Sequence, residues 1–352
     1  MPRPLLFLLL LAPAAVAQPA SVDRVVYRGK DGKLVTTDAE VKESVAGVQL
    51  LVAGKPKDAL SPADIVRIDY GALPGLAKAD LSAVQAFEDG RDPAKAAAAF
   101  AALAKKAGPQ AGEKTRRYLA FREAVWAVKA ADTKTGDEFA AEAKPAADKL
   151  AGVFRASKKG WEAWPAARTA ARVYAELDDF DAAAKLLAEL AAVPDLPADL
   201  RADAKLAEAA NQIRGRRSLE AEGTLARLAA DPALPASAKD KLAVLTAAAR
   251  VPLPKPGEPT SGQRPAQLAE LQKAVDAAGP GAKAVGYGLL GEACLANGLV
   301  RDAMWAFLWV DTVHNQEADE RVLAVRRLAA VFDRQGEKER ADQFREKLPR
   351  VR

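Results

Sequence analysis

Few side chains in this sequence could do chemistry, and they lie far apart. The chain has one histidine, His314, and one cysteine, Cys294. One histidine cannot build a His-rich metal site, and one cysteine can form neither an intramolecular disulfide nor a cysteine-based zinc site. Any Ser-His-Asp or Cys-His arrangement would have to pass through His314, which stands in WVDTVHNQEAD at the end of a helical pattern. No GxxxxGK[ST] string occurs, so the P-loop that cradles nucleotide phosphates is absent, and no cofactor is expected. That leaves carboxylate pairs for acid–base work, chiefly Asp178-Asp179 and Glu220/Glu222. Asp178-Asp179 falls between two helical segments, where aspartate commonly caps a helix, so its expected role is structural. Of the five tryptophans, Trp305 and Trp309 are four residues apart on one helix and are expected in a packed interface. Trp161 and Trp164 precede Pro165 and are the pair expected nearer solvent and ligand.

The elements that must hold these residues are mostly helices. About 80 of the 352 residues are alanine, the best helix former, and aromatic residues make up only 6%. Residues 22–70 differ: they are rich in Val and Ile and broken by glycines. Val25-Val26-Tyr27 and Leu34-Val35-Thr36 flank Lys30-Asp31-Gly32-Lys33, and Asp-Gly supplies the positive φ of a hairpin turn. Further strands are expected at Glu40–Ser44, Val48–Val52 and Ile65–Tyr70. Five short strands in so small a segment resemble an SH3-like or Sm-like small barrel or curled sheet. With little core of its own, such a unit is expected to dock on the helices that follow.

From Leu76 onward, Ala, Leu and charged residues recur with helical period in paired blocks. The block from Gly286 reads GYGLLGEACLANGLVRDAMWAFLWVDTVHNQ. Tyr287, Leu290 and Gly291 in its first helix, and Ala303 and Phe307 in its second, resemble the pattern of the tetratricopeptide repeat (TPR). Cys294 takes one aromatic position of that pattern, and Asn315 stands where the closing proline would be. Tyr174/Ala183, Phe332/Ala341 and Phe87/Ala96 repeat the aromatic-to-small spacing, and Ala221 and Leu225 centre a further unit between residues 198 and 231. Small residues at these positions let antiparallel helices approach while Leu and Phe fill the space between them. The resemblance implies a mainly α fold, a TPR-like α-solenoid of antiparallel helix pairs preceded by the small β-domain. The competing expectation is a non-repetitive alanine-rich bundle. PLPKPGEPTSGQRP, residues 252–265, is a break that no helix crosses; it divides a helical array at 76–251 from C-terminal repeats at 266–352, which flex or pack as one.

MPRPLLFLLLLAPAAVAQPA opens with Arg3, an apolar run from Leu5 to Ala12, and a small-x-small site at Ala15-Val16-Ala17. Residues 1–17 read as a secretory signal peptide, with the β-domain at 18–75. Loss of Arg3 takes the formal net charge from +5 to +4. The expected destination is the periplasm, cell envelope or extracellular space, with no transmembrane segment in the mature chain. Basic pairs such as Arg116-Arg117 and Arg326-Arg327 have acids nearby and read as solvated faces, not a nucleic-acid stripe.

The TPR resemblance places Arg168, Arg172, Glu176, Arg214, Glu292, Arg326, Asp333 and Arg334 on the concave face. Arginine outnumbers acid there, so the expected ligand is an acidic or C-terminal segment of a protein or peptide partner. The competing expectation is that these arginines pair with neighbouring acids. Two functions stay open: a non-catalytic protein–protein interaction scaffold, and an envelope enzyme acting on a polysaccharide through paired carboxylates in a deep cleft.

Overall fold

The structure is a computed structural model that describes residues 22–88, 92–254 and 262–351. The expected signal peptide and the middle of the Pro-rich break lie outside the described residues. Five strands come first: β1 (Asp23–Arg28), β2 (Leu34–Ser44), β3 (Gly47–Val52), β4 (Lys55–Leu60) and β5 (Ile65–Asp69). They form one antiparallel sheet in the order β4-β3-β2-β1-β5. The Asp-Gly turn forms as expected: Gly32 has φ 76, and the Asp31 carboxylate accepts a hydrogen bond from the Lys33 amide at 3.0 Å. Leu34–Thr36 and Glu40–Ser44, expected as separate strands, are the two halves of β2. Its first half pairs with β1 and its second with β3, so one long strand serves two partners. β4 and β5 are the edges, and the sheet is open where a barrel would pair them.

Fourteen α-helices follow among the described residues: α1 (Lys78–Glu88), α2 (Pro93–Ala107), α3 (Glu113–Ala131), α4 (Gly136–Ala156), α5 (Ala163–Glu176), α6 (Phe180–Ala191) and α7 (Ala198–Arg214), then α8 (Ser218–Ala229), α9 (Lys239–Ala249), α10 (Ala266–Ala277), α11 (Pro280–Ala296), α12 (Val300–Thr312), α13 (Ala318–Arg334) and α14 (Lys338–Val351). Each of these helices packs on the next in sequence. The small residues picked out by spacing sit at those contacts: Ala96, Ala183, Ala221, Ala303 and Ala341 are all fully buried. Gly291 lies against the Phe307 ring, and a Cβ there would stand 2.6 Å from it, so only glycine lets α11 and α12 approach this closely. Phe87, by contrast, is exposed and marks no contact.

Two large hydrophobic cores result, and a small cluster of Val322, Val325, Leu348 and Val351 joins α13 to α14. The first runs from Val25 on β1 to Ala204 on α7 and joins the sheet to the early helices, as the small size of the β-domain demands. The second runs from Ala202 to Ala341 and continues across the Pro-rich break, with Val251 on one side and Leu268 on the other. The Asn297 side chain also donates to the Pro252 carbonyl at 3.2 Å. The break therefore interrupts the helices but not the packing. Two contacts depart from a linear stack, in which each repeat touches only its neighbours: α11 packs on α7, and α13 packs on α5.

Candidate functional site

The contact between α5 and α13 creates a charged centre. Arg168 on α5 reaches Asp203 of α7 and Asp319 of α13, each at 3.7 Å. One turn on, Arg172 pairs with Asp132 at 2.9 Å and with Glu176 at 3.3 Å. Arg214 of α7 meets Glu320 at 2.5 Å, and Lys241 of α9 meets Glu317 at 3.4 Å. Burial opposes charge on Arg168 and Arg172, but the surrounding carboxylates outweigh it and hold both guanidiniums above their ordinary pKa. The Glu317 pKa is also raised, by burial against the pull of Lys241, which for a carboxyl group favours the neutral form.

These residues surround a cavity of about 60 Å³ whose lining sets four cations (Arg168, Arg172, Arg214, Lys241) against five carboxylates (Glu176, Asp203, Glu317, Asp319, Glu320). The sequence put an arginine excess here; the structure balances it, because α7 and α13 bring acids that lie far away in the chain. Pockets for small molecules span roughly 300–1,000 Å³, so this one has room for a few waters and not for a sugar ring.

Arg168, Arg172, Glu176 and Arg214 are thus brought together as expected. Glu292 and Arg326 gather instead around Asp178: Arg326 meets it at 2.7 Å, and Arg327 bridges it, at 3.0 Å, to Glu292, at 2.5 Å. The last two expected groove residues fall elsewhere. Asp333 pairs with Arg345 of α14, and Arg334 is exposed in the last turn of α13. Helix period placed them on the face of Arg326, but the end of α13 turns that face toward α14. Of the aspartate pair, Asp179 caps α6 by accepting the Ala182 amide at 3.2 Å. Asp178, at φ 62, holds the arginines. Aspartate tolerates the left-handed region better than most residues, so it can fill the turn and carry charge at once.

Nothing in the residue pattern marks Asp203, Lys241, Glu317, Asp319 or Glu320 as partners. Asp319 and Glu320 stand in the first turn of α13, where carboxylates suit a helix N-terminus.

A second pair of acids lies where the sheet docks on the helices. Arg117 of α3 bridges Glu43 of β2 at 2.6 Å and Glu162 at 3.1 Å, and the Tyr70 hydroxyl donates to Glu43 at 2.7 Å. Burial raises the Glu162 pKa despite Arg117 beside it. Glu43 and Glu162 therefore act as a clamp around a cation inside the domain junction.

The tryptophans reverse their expected places. Trp161 and Trp164 are 2% and 6% exposed, whereas Trp305 and Trp309 are 53% and 45% exposed. On the outer side of α12, Trp309, Tyr287 and His314 form three near-parallel rings with centroids 5.2–6.0 Å apart. Burial and Lys283 lower the His314 pKa, so the ring is neutral at pH 7 and serves as a stacking surface. Cys294 is buried, and desolvation pushes its thiol up to about 11, so it is protonated and inert.

Among the described residues no group of His, Cys, Asp and Glu could hold a metal ion, and no helix is long and apolar enough to cross a membrane. In comparison with known proteins, no family model matches the chain, and no curated protein or solved structure matches it.

Proposed function

We propose that the chain is a non-catalytic protein–protein interaction scaffold, a TPR-like helical array exported to the periplasm, cell envelope or extracellular space, that binds a polypeptide partner. The observation carrying this reading is the condition of the charged centre. Its arginines are already matched by carboxylates around a cavity of about 60 Å³. Charges used to close an array on itself serve architecture, and the surface left for recognition lies outside. A groove of about 630 Å³ opens there between α9 and α10. The alternative, an envelope enzyme working through paired carboxylates, would need two acids facing an accessible cleft. The buried pair Glu43 and Glu162 shares Arg117 instead.

The test is chemical cross-linking of residues 18–352 in envelope extracts, followed by mass spectrometry. A reproducible polypeptide partner is expected. Recovery of glycan alone, or turnover of a polysaccharide that is lost in Glu317→Gln, would overturn the reading.

A further inference from the structure

Helix α9 faces two ways. Lys241 turns inward to the charged centre, paired with Glu317. On the opposite side Leu242, Ala243 and Ala247 form one wall of the α9–α10 groove, and Ala274 and Ala277 of α10 form the other. Elsewhere in the array alanines at such positions are covered by the next helix: Ala183, Ala221 and Ala303 are fully buried. Here, among the described residues, the same close-packing surface has no helix on it. Small side chains leave the bulk to be supplied by whatever enters.

The rim adds a sign. Lys239, Arg250 and Lys273 border the groove, with Glu270 as its one carboxylate among the described residues. None of these three cations enters a side-chain ion pair or hydrogen bond among the described residues, whereas Lys241, two positions from Lys239, is paired. The groove therefore combines an apolar floor with unneutralised positive charge.

We propose that this groove takes an amphipathic helical segment of a partner polypeptide, its apolar face against the alanine walls and carboxylates on its flanks reaching Lys239, Arg250 and Lys273. The proposal rests on the scaffold reading and names the partner's chemistry. Length fits: α9 has 11 residues, about 16 Å at 1.5 Å per residue, matching about three turns of a docked helix. The volume falls within the range of a recognition site, and helix-in-groove docking draws affinity from apolar anchors and register from rim charge.

The probe is a fluorescein-labelled synthetic helix of roughly 15 residues, with Leu at i, i+3, i+4 and i+7 and Glu on the flanks, measured by fluorescence anisotropy. A second probe carries Lys in place of Glu. The variants are Lys239→Glu combined with Lys273→Glu, and Ala243→Trp, which fills an exposed wall; circular dichroism and thermal melts confirm that each is folded. The acidic probe is expected to bind the wild type saturably, and about ten-fold more weakly to both variants. The Lys probe is expected to prefer the charge-reversed variant. Absence of saturable binding up to about 1 mM, equal binding of both probes to the wild type, or unchanged affinity in folded variants would overturn the proposal. A partner cross-linked in extracts that still binds Ala243→Trp unchanged would leave the scaffold standing and remove this groove. Probe binding with no partner recovered would do the reverse.

Discussion

The two cores solve the same packing problem with different materials. The first buries eleven aromatic side chains, Trp126, Trp161 and Trp164 among them, and joins sheet to helices through edge-on contacts such as Tyr70–Tyr118 at 5.0 Å. The second buries only Phe307 and Phe332 and leaves both of its tryptophans in solvent. It packs instead by removing volume: an added Cβ would meet Val275 at 2.7 Å from Gly286, and Phe307 at 2.6 Å from Gly291. Where backbones approach this closely there is no room for an indole, and α12 presents its tryptophans outward. A bulky residue thus reports the spacing of its neighbours as much as its own hydrophobicity.

The sharpest way to break this comparison is to truncate one tryptophan from each half. Trp161→Ala is expected to cost about 3–5 kcal/mol in denaturant unfolding, and Trp305→Ala to stay within about 0.5 kcal/mol. Equal losses would mean that the exposed face of α12 is covered in solution. Next in size are two helical glycines in the second half of the chain. Gly291→Ala is expected to destabilise by about 1–3 kcal/mol through overpacking against Phe307. Gly223→Ala on α8, whose Cβ would meet nothing within 4 Å, should stabilise by about 0.5–1 kcal/mol.

The smallest effect is a slope. Burial raises the Glu162 pKa above its ordinary value of 4.5, so the folded state holds this proton more tightly than the unfolded chain. Its contribution to stability is fully present below pH 4.5 and is lost as pH rises through the folded-state pKa. Glu162→Gln removes that titration, so the stability of the wild type relative to the variant should fall as pH is raised from 4.5. A difference independent of pH, from urea titrations at several pH values, would place the buried charge elsewhere in the Glu43–Arg117–Glu162 clamp.

The local signals in the sequence were good guides to local structure. Asp31-Gly32 turned the first hairpin, and the alanines at 96, 183, 221, 303 and 341 marked helix contacts because a small side chain is itself the cause of close approach. Strand β4, KPKDAL, was invisible: it holds Pro56 and almost no buried side chain, the character of an edge that avoids further pairing. Trp305 and Trp309 misled because spacing defines a face of a helix, not what lies against it. The groove arginines were half legible. Arg168, Arg172 and Arg214 line one cavity, but their partners come from residues such as Asp319 and Glu320 that period alone cannot connect to them.

The return of α13 to α5 also sets a schedule. Asp178 and Arg326 are separated by 148 residues, so at about 5–20 residues per second of synthesis the first emerges some 7–30 s before the second. The first core is complete by α7, well before α13 exists, and for that interval Arg168 and Asp178 lack the α13 partners they have in the finished fold. Closure of the array therefore cannot begin before α13 emerges, and a chain halted after α12 would carry a finished N-terminal core beside a centre with too few acids.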